Sequence, residues 1–215
     1  VKRLLIASDN PKKRAEFAGL LAHLPLELVT PRDLGGLPPV EEDAPTFAGN
    51  AAKKAASAAR ATGLWSLADD SGLEVAALGG APGVLSARYG GVHGDDARNN
   101  ARLLEELARL RAPDRGARFL CALALARPDG SIALEVSGQA QGRILEAPRG
   151  TNDFGYDPLF LFTEEGYGET GRGFAELEPS EKARVSHRGR ALRELLLHLP
   201  HDLGGPPTPG RAGAT

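Results

Sequence analysis

Residues 117–127 and 131–142 are two long, largely apolar runs joined by Arg127-Pro128-Asp129-Gly130-Ser131. A Pro-Asp-Gly turn between two such runs closes a hairpin, so the second half of the chain contains a directly paired antiparallel unit. The first half reads differently. Residues 2–7 predict a buried strand, and beyond Asn10 the apolar positions Phe17, Leu20, Leu21 and Leu24 recur at helical spacing, with Pro11 tolerated in the first turn. Residues 26–29 predict a second strand, followed by a Pro/Gly-rich loop to about Pro39. An Ala-rich helix runs from Pro45 or Thr46 to about Ala61 and is stopped by Gly63.

The segment 65–69 reads as a short strand entering Asp69-Asp70-Ser71-Gly72, and six glycines within 79–94 mark an irregular loop. Asp95 and Asp96 precede a helix with Leu103, Leu104, Leu107 and Leu110 on one face. A loop over 148–157 leads into the apolar run PLFLF, and a last helix covers roughly Ser180 to Leu199. Strands that alternate with helices early and pair directly later imply an α/β fold with a mixed sheet. The closing stretch GGPPTPGRAGAT lacks apolar anchors, so residues 1–200 are expected to form one domain and residues 201–215 a disordered tail.

With 215 residues, one domain or two closely packed lobes can bury a sizeable core. A formal net charge of -2 and the lack of a long basic run argue against nucleic acid as a partner. Cys121 is the single cysteine, which excludes an internal disulfide framework and a cysteine zinc site. No signal peptide or run near the roughly 20 apolar residues of a membrane span is visible, so a soluble, cytoplasmic protein without membrane contact is expected. Only six of the 26 basic residues are lysines, and five of them (Lys12, Lys13, Lys53, Lys54, Lys182) fall in three short segments.

Four segments carry residues suited to chemistry. Ser8, Asn10 and Lys13 stand where a helix starts directly after a strand, a place whose free N–H groups and positive dipole end favour an anion; equally, Asn10 can be a plain N-cap. Asp69 and Asp70, with Glu41 and Glu42 upstream, offer hard oxygen ligands of the kind Mg²⁺ takes alongside phosphates; equally, Asp70 or Ser71 can cap a following helix. Phe154 and Tyr156 in NDFGYDP can lie against a heterocycle with Asp157 accepting from a ring N–H, or can plug the core. SEKARVSHRGRAL places Lys182, His187 and Arg188 around a break in the last helix, where basic surface is the plainer reading. A Walker-type loop and a dinucleotide glycine fingerprint are both missing, and no nucleophile elbow accompanies the Ser-His pair. The adjacent aspartates do not match the one-residue separation of an aspartyl phosphatase.

In this order and spacing, SDNPKKRAEF, EEDAPTFAGNAAKKA, ADDSGLEVAALGGAPGVLSARYGG, FGYDPLF and EKARVSHRGRAL resemble the inosine triphosphate pyrophosphatase family across residues 4–192. The resemblance implies an elongated mixed β-sheet with flanking helices, two lobes around a central cleft, a homodimer, and Mg²⁺-dependent hydrolysis of dITP, ITP and XTP to the monophosphate and pyrophosphate, which clears aberrant purine nucleotides from the pool. By the same resemblance, Ser8, Asp9, Asn10, Pro11, Lys12 and Lys13 meet the triphosphate, with Lys54 at the family's helix lysine. Asp70 is implied as general base and metal ligand, Glu42 as a second ligand, and Ser71 as a substrate contact. Phe154, Gly155, Tyr156, Asp157, Lys182, His187 and Arg188 are implied to line the nucleotide, with Arg188 reading the 6-keto group. Asp9, Gly49 and Asp153 depart from the family pattern, which usually has glycine, glutamate and glycine there. Two rivals are a nucleotide-binding regulator without catalysis and the related septum-inhibitor-type pyrophosphatase of dTTP and UTP; the intact carboxylates weigh against the first, FGYDP and SHRG against the second.

Overall fold

The computed structural model describes residues 1–110, 113–152 and 154–205. Its strands are β1 (Lys2–Ile6), β2 (Leu26–Val29), β3 (Trp65–Val75), β4 (Gly116–Ala126), β5 (Ile132–Ile144) and β6 (Phe160–Phe162). They form one sheet in the order β2-β1-β3-β4-β5-β6. The helices are α1 (Pro11–Leu21), α2 (Phe47–Thr62), α3 (Asp96–Ala108), α4 (Pro179–Val185) and α5 (His187–His198). β1 is parallel to β2 and β3, and the pairs β3–β4, β4–β5 and β5–β6 are antiparallel. The sheet is mixed, as the sequence implies. Its central hairpin closes where expected: Gly130 takes φ 85° and donates to the Arg127 carbonyl at 2.8 Å, while the Asp129 carboxylate accepts from the Ser131 N–H at 2.8 Å.

Three strands of 11, 11 and 13 residues, β3 to β5, run the length of the molecule. At one end, Leu4, Phe17, Leu67, Cys121, Leu123 and Leu195 form a core between the sheet and α1 and α5. On the opposite face Ala51, Ala55 and Ala59 of α2 meet Ala68, Ala122 and Ala124, a small-on-small contact that seats the helix close to the sheet. At the other end, Leu73, Phe119, Phe160, Phe162 and Phe174 pack with Leu103 and Leu107 of α3. Two cores at the two ends of shared long strands give the two lobes.

Some expectations change and one is met. The strand expected over 65–69 continues to Val75, because β4 pairs with every residue from Ser66 to Val75. Neither Asp70 nor Ser71 caps a helix; both sit inside β3. The last helical region is two helices broken at Ser186, whose ψ of 155° is extended and whose hydroxyl accepts from Gly189 N–H at 3.1 Å. The sequence VSHRG marks that break. Gly189 is required there, since a Cβ would stand 1.9 Å from the Ala183 carbonyl oxygen. Within the expected tail, residues 201–203 form a short 3-10 turn with Leu203 fully buried, and residues 206–215 lie outside the described residues.

β1 pairs with β3 only as far as Ile6 opposite Leu67. Beyond that point β3 keeps β4 on one side, while its other edge, at Asp69 to Gly72, opens beside the loop between β1 and α1. A ligand crevice at the carboxyl end of a parallel strand is the usual place in α/β sheets.

Candidate active site

A cavity of about 350 Å³ lies at this open edge. Ser8, Asp9, Asn10, Lys13, Glu42, Lys54, Asp70, Ser71, Phe154, Gly155, Tyr156, Asp157, His187 and Arg188 all line it, so the four separate segments are brought together. Lys12 and Lys182 stand across the Phe154 ring in an adjoining groove of about 780 Å³, with their ammonium groups 5.4 and 5.1 Å from the ring centroid. Pro11 is exposed at the first position of α1 and lines neither space. Glu42 lines the cavity, whereas Glu41 is exposed and does not. Asp153 lies outside the described residues.

The β1–α1 loop is largely self-satisfied. Asn10 caps α1, its Oδ1 accepting from the N–H groups of Lys12 and Lys13 at 3.0 and 3.2 Å, and the Ser8 hydroxyl accepts from Asn10 N–H at 3.3 Å. Arg14 donates to the carbonyls of Ser8 and Asp9, which holds exposed Asp9 at the mouth of the cavity. The capping reading of Asn10 is correct, and it coexists with a cavity position.

The pleat of β3 sends the adjacent aspartates to opposite faces. Asp70, 9 % exposed, points to the α2 side, where its Oδ2 accepts from Asn50 Nδ2 at 3.1 Å and its Oδ1 from Lys54 Nζ at 3.3 Å. Lys54 also donates to Glu42 at 3.0 Å, so the two carboxylates converge on one ammonium. Burial raises the Asp70 carboxyl above its ordinary range against the pull of Lys54 and Asn50, and the charge of Glu42 adds to the rise. Burial alone would lower the Lys54 ammonium, but Asp70, Asp69 and Glu42 hold it above its usual value.

Asp69, 2 % exposed, points the other way, where Lys13 Nζ and the Ser71 hydroxyl both donate to its Oδ2 at 2.8 Å and Arg188 Nη2 stands at 3.5 Å. Burial would push this carboxyl up, yet Lys13, Arg188 and Lys54 hold it far below the usual carboxylate range. Arg188 is itself buried and bound to Glu16 and to the Ser71 hydroxyl. Glu16 also accepts from Lys182 at 3.5 Å, and Lys182 is paired with buried Asp157. A chain of alternating charges, Lys13–Asp69–Arg188–Glu16–Lys182–Asp157, therefore runs along this wall.

His187 stacks on Phe119 with centroids 4.6 Å apart and planes 11° from parallel. Burial and then the charges of Arg188, Lys182 and Lys13 hold the imidazole well below its usual pKa, so it is neutral. Its Nδ1 and the Nε of Arg188 are buried without a hydrogen-bond partner among the described residues. Tyr156 belongs to the core, its hydroxyl donating to the Ser86 carbonyl at 2.9 Å, and only borders the cavity.

Several partners were not singled out from sequence. Glu16 sits one turn beyond Lys12 on α1, where it looks like an ordinary surface i,i+4 pair. Asn50 had a usable signal: an amide inside an alanine-rich helix is unfavourable unless its side chain has a task. Nothing local marks Asp96, whose carboxylate reaches a loop 59 positions away.

The Ham1 family model matches residues 4–198. A dITP/XTP pyrophosphatase of Syntrophobacter fumaroxidans is 53% identical over 192 residues, covering 89% of this chain and 79% of that protein. A dITP/XTP pyrophosphatase of Thermus thermophilus is 52% identical over 194 residues, 90% of each chain. Among solved structures, a HAM1 protein from Coxiella burnetii superposes with a TM-score of 0.81 at 41% identity, covering 91% of this chain and 96% of that one. A nucleoside-triphosphatase / dITP/XTP pyrophosphatase from Mycobacterium abscessus gives 0.71 at 47% identity, covering 90% and 98%. The resemblance carried by the five motifs and the mixed α/β architecture are both borne out, and the chain belongs to the Ham1 family.

Proposed function

We propose that this chain hydrolyses dITP, ITP and XTP to the nucleoside monophosphate and pyrophosphate. The observation that carries the reading is the single cavity with Asp70, Glu42 and Lys54 on one wall and Lys13 and Arg188 on the other. The relatives named above as dITP/XTP pyrophosphatases support the substrate class.

The donor set bears on the metal. Among the described residues no group of three or more His, Cys, Asp or Glu side chains converges, which suits neither zinc nor another metal wanting several nitrogen or sulfur ligands. Two carboxylates meeting at one ammonium do suit Mg²⁺, which takes one or two carboxylates and completes its shell with water and phosphate oxygens. Asp70 and Glu42 would hold the ion, and when bound it supplies positive charge against the triphosphate oxygens.

In the reaction proposed, a water oxygen attacks the α-phosphorus in line with the bond to the β-phosphate oxygen. That P–O bond breaks, its electron pair leaves with pyrophosphate, and the water proton passes to the Asp70 carboxylate. Of the aspartate pair, Asp69 is already taken up by Lys13, Ser71 and Arg188, which leaves the Asp70 carboxylate as the proton acceptor of this reaction. Lys54 and Lys13 stand where charge builds on the phosphates and leaving group. At the base end the unpaired Arg188 Nε offers a buried donor to a 6-keto oxygen. Adenine would present its 6-amino donor to that donor, a mismatch that a buried site rejects by orders of magnitude.

Pyrophosphate release with Mg²⁺ from dITP, ITP, XTP, dTTP, UTP and ATP in parallel tests the reading; release from dTTP and UTP alone, or from none, removes it. Asp70→Asn should abolish turnover while ITP still binds in calorimetry, and retained turnover would remove Asp70 as the base. The homodimer rests on the family resemblance, and light scattering should give twice the 22.5 kDa chain mass.

A further inference from the structure

Residues 154–157 bear Phe154 and Asp157, and they are gripped from a direction the reaction does not explain. Asp96 and Asn100, one turn apart on α3, close on the two polar groups of a single residue. Asp96 Oδ2 accepts from Gly155 N–H at 2.8 Å, and Asn100 Nδ2 donates to the Gly155 carbonyl at 2.8 Å. Gly155 has φ 56°, a left-handed conformation that an L side chain rarely adopts, so the two bonds hold the loop at its sharpest point. Asn100 Oδ1 is buried without a partner among the described residues. An amide that tolerates an orphaned acceptor is kept for its donor.

On one side of this pin the Phe154 ring is faced by Lys12, Lys182 and Arg188 at 5.4, 5.1 and 5.8 Å. On the other, Asp157 is buried against Lys182. The pin itself comes from the face of α3 that, further along the helix, packs Leu103 and Leu107 into the second lobe. We propose that Asp96 and Asn100 are positioning residues for the nucleobase end of the site, fixing Phe154 and Asp157 through Gly155 and so tying base binding to the second lobe. This rests on the reading that the Phe154–Asp157 stretch meets the base of a purine nucleoside triphosphate. The phosphate end, at Asp70, Lys54 and Lys13, receives no hydrogen bond from either residue.

The full chain carrying Asp96→Ala or Asn100→Ala is compared with wild type in Mg²⁺. Both residues are half-buried and neither belongs to the hydrophobic core that holds α3 through Leu103 and Leu107. The KM for dITP should rise about tenfold, the factor matching about 1.4 kcal/mol, with kcat nearly unchanged. Inhibition by inorganic tripolyphosphate, which carries the phosphates without a base, should keep its Ki. Amide exchange over residues 154–157 should accelerate. Asp96→Asn retains an acceptor oxygen and should behave as wild type. An unchanged KM, or dITP and tripolyphosphate losing affinity together, overturns the proposal. So does Asp96→Asn failing as badly as Asp96→Ala, which would mean that the carboxylate itself touches substrate or ion. Should wild type release no pyrophosphate from dITP, ITP or XTP, the functional reading falls separately. The clamp is then judged on amide exchange alone, where unchanged rates in the alanine variants overturn it.

Discussion

His187 gives the protein a stability that depends on pH in a window where few other side chains titrate. The imidazole is 5 % exposed, lies flat against Phe119, and feels the charges of Arg188, Lys182 and Lys13, with Asp69 opposing them. Burial and those cations hold its pKa well below 6.5 in the folded state, whereas in the unfolded chain it takes up a proton near pH 6.5. The unfolded state therefore binds more protons below that pH, and stability falls as pH falls. The slope is about 1.4 kcal/mol per pH unit, so a group still neutral at pH 5 contributes a loss of roughly 2 kcal/mol between pH 6.5 and pH 5. Urea unfolding of wild type and His187→Gln at several pH values from 7.5 to 5 isolates this contribution, because every other titrating group is common to both. The variant loses the stacking on Phe119 at all pH values, a constant offset. The difference between the two should shrink by about 2 kcal/mol on going to pH 5. Parallel stability curves would show that the folded protein admits the imidazolium, and the account of this wall as closed to further positive charge would fail.

Other consequences can be read directly. Asp69→Asn leaves Lys13 and Arg188 without their shared anion and should cost about 3 kcal/mol at neutral pH, the low end for a broken buried pair because Arg188 keeps Glu16. Since the folded carboxyl is depressed, that difference is complete above about pH 4 and fades in acid; equal denaturation midpoints at pH 7 would refute it. Gly72→Ala places a Cβ 2.4 Å from Ser86 Oγ and 2.8 Å from the Gly83 carbonyl, which should lower stability by about 1–3 kcal/mol and show as a reduced Tm. Cys121 is fully buried with its thiol pushed up to about 12, so a thiol-specific disulfide reagent should label it only after denaturation.

What was legible in the sequence follows from how far apart the interacting residues lie. The hairpin at 127–131 and the helix ends at Thr46, Gly63 and Asp95 were readable because turn and cap chemistry acts over a few residues. The length of β3 was not. Asp69-Asp70-Ser71-Gly72 looks like a loop until Lys13, Lys54 and Arg188 come to meet it from 56, 16 and 117–119 positions away. The four segments of the cavity were found through their residue types and their order, which carried the family resemblance. Their pairing was not: lysines read as phosphate ligands are held by carboxylates of the chain itself, Lys13 by Asp69 and Lys182 by Asp157 and Glu16. Composition records how many charges exist, and only the fold decides which of them neutralise one another.

The adjacency of Asp69 and Asp70 has a structural reason. On a strand, residues i and i+1 face opposite sides of the sheet, while i and i+2 share one side. A D-x-D spacing would set two carboxylates together before one set of cations. Adjacent aspartates instead use the sheet as a partition: Asp70 faces α2 with Lys54 and Asn50, and Asp69 faces α1 and α5 with Lys13 and Arg188. Because β1 stops opposite Leu67, the edge of β3 beyond it is open and both faces border one cavity. The two environments then drive the carboxyls apart, one up and one down, a divergence of the kind that separates acid and base roles between paired carboxyls. Asp69 cannot take the proton without releasing Lys13 and the buried Arg188. In the proposed reaction, that leaves Asp70 as the acceptor.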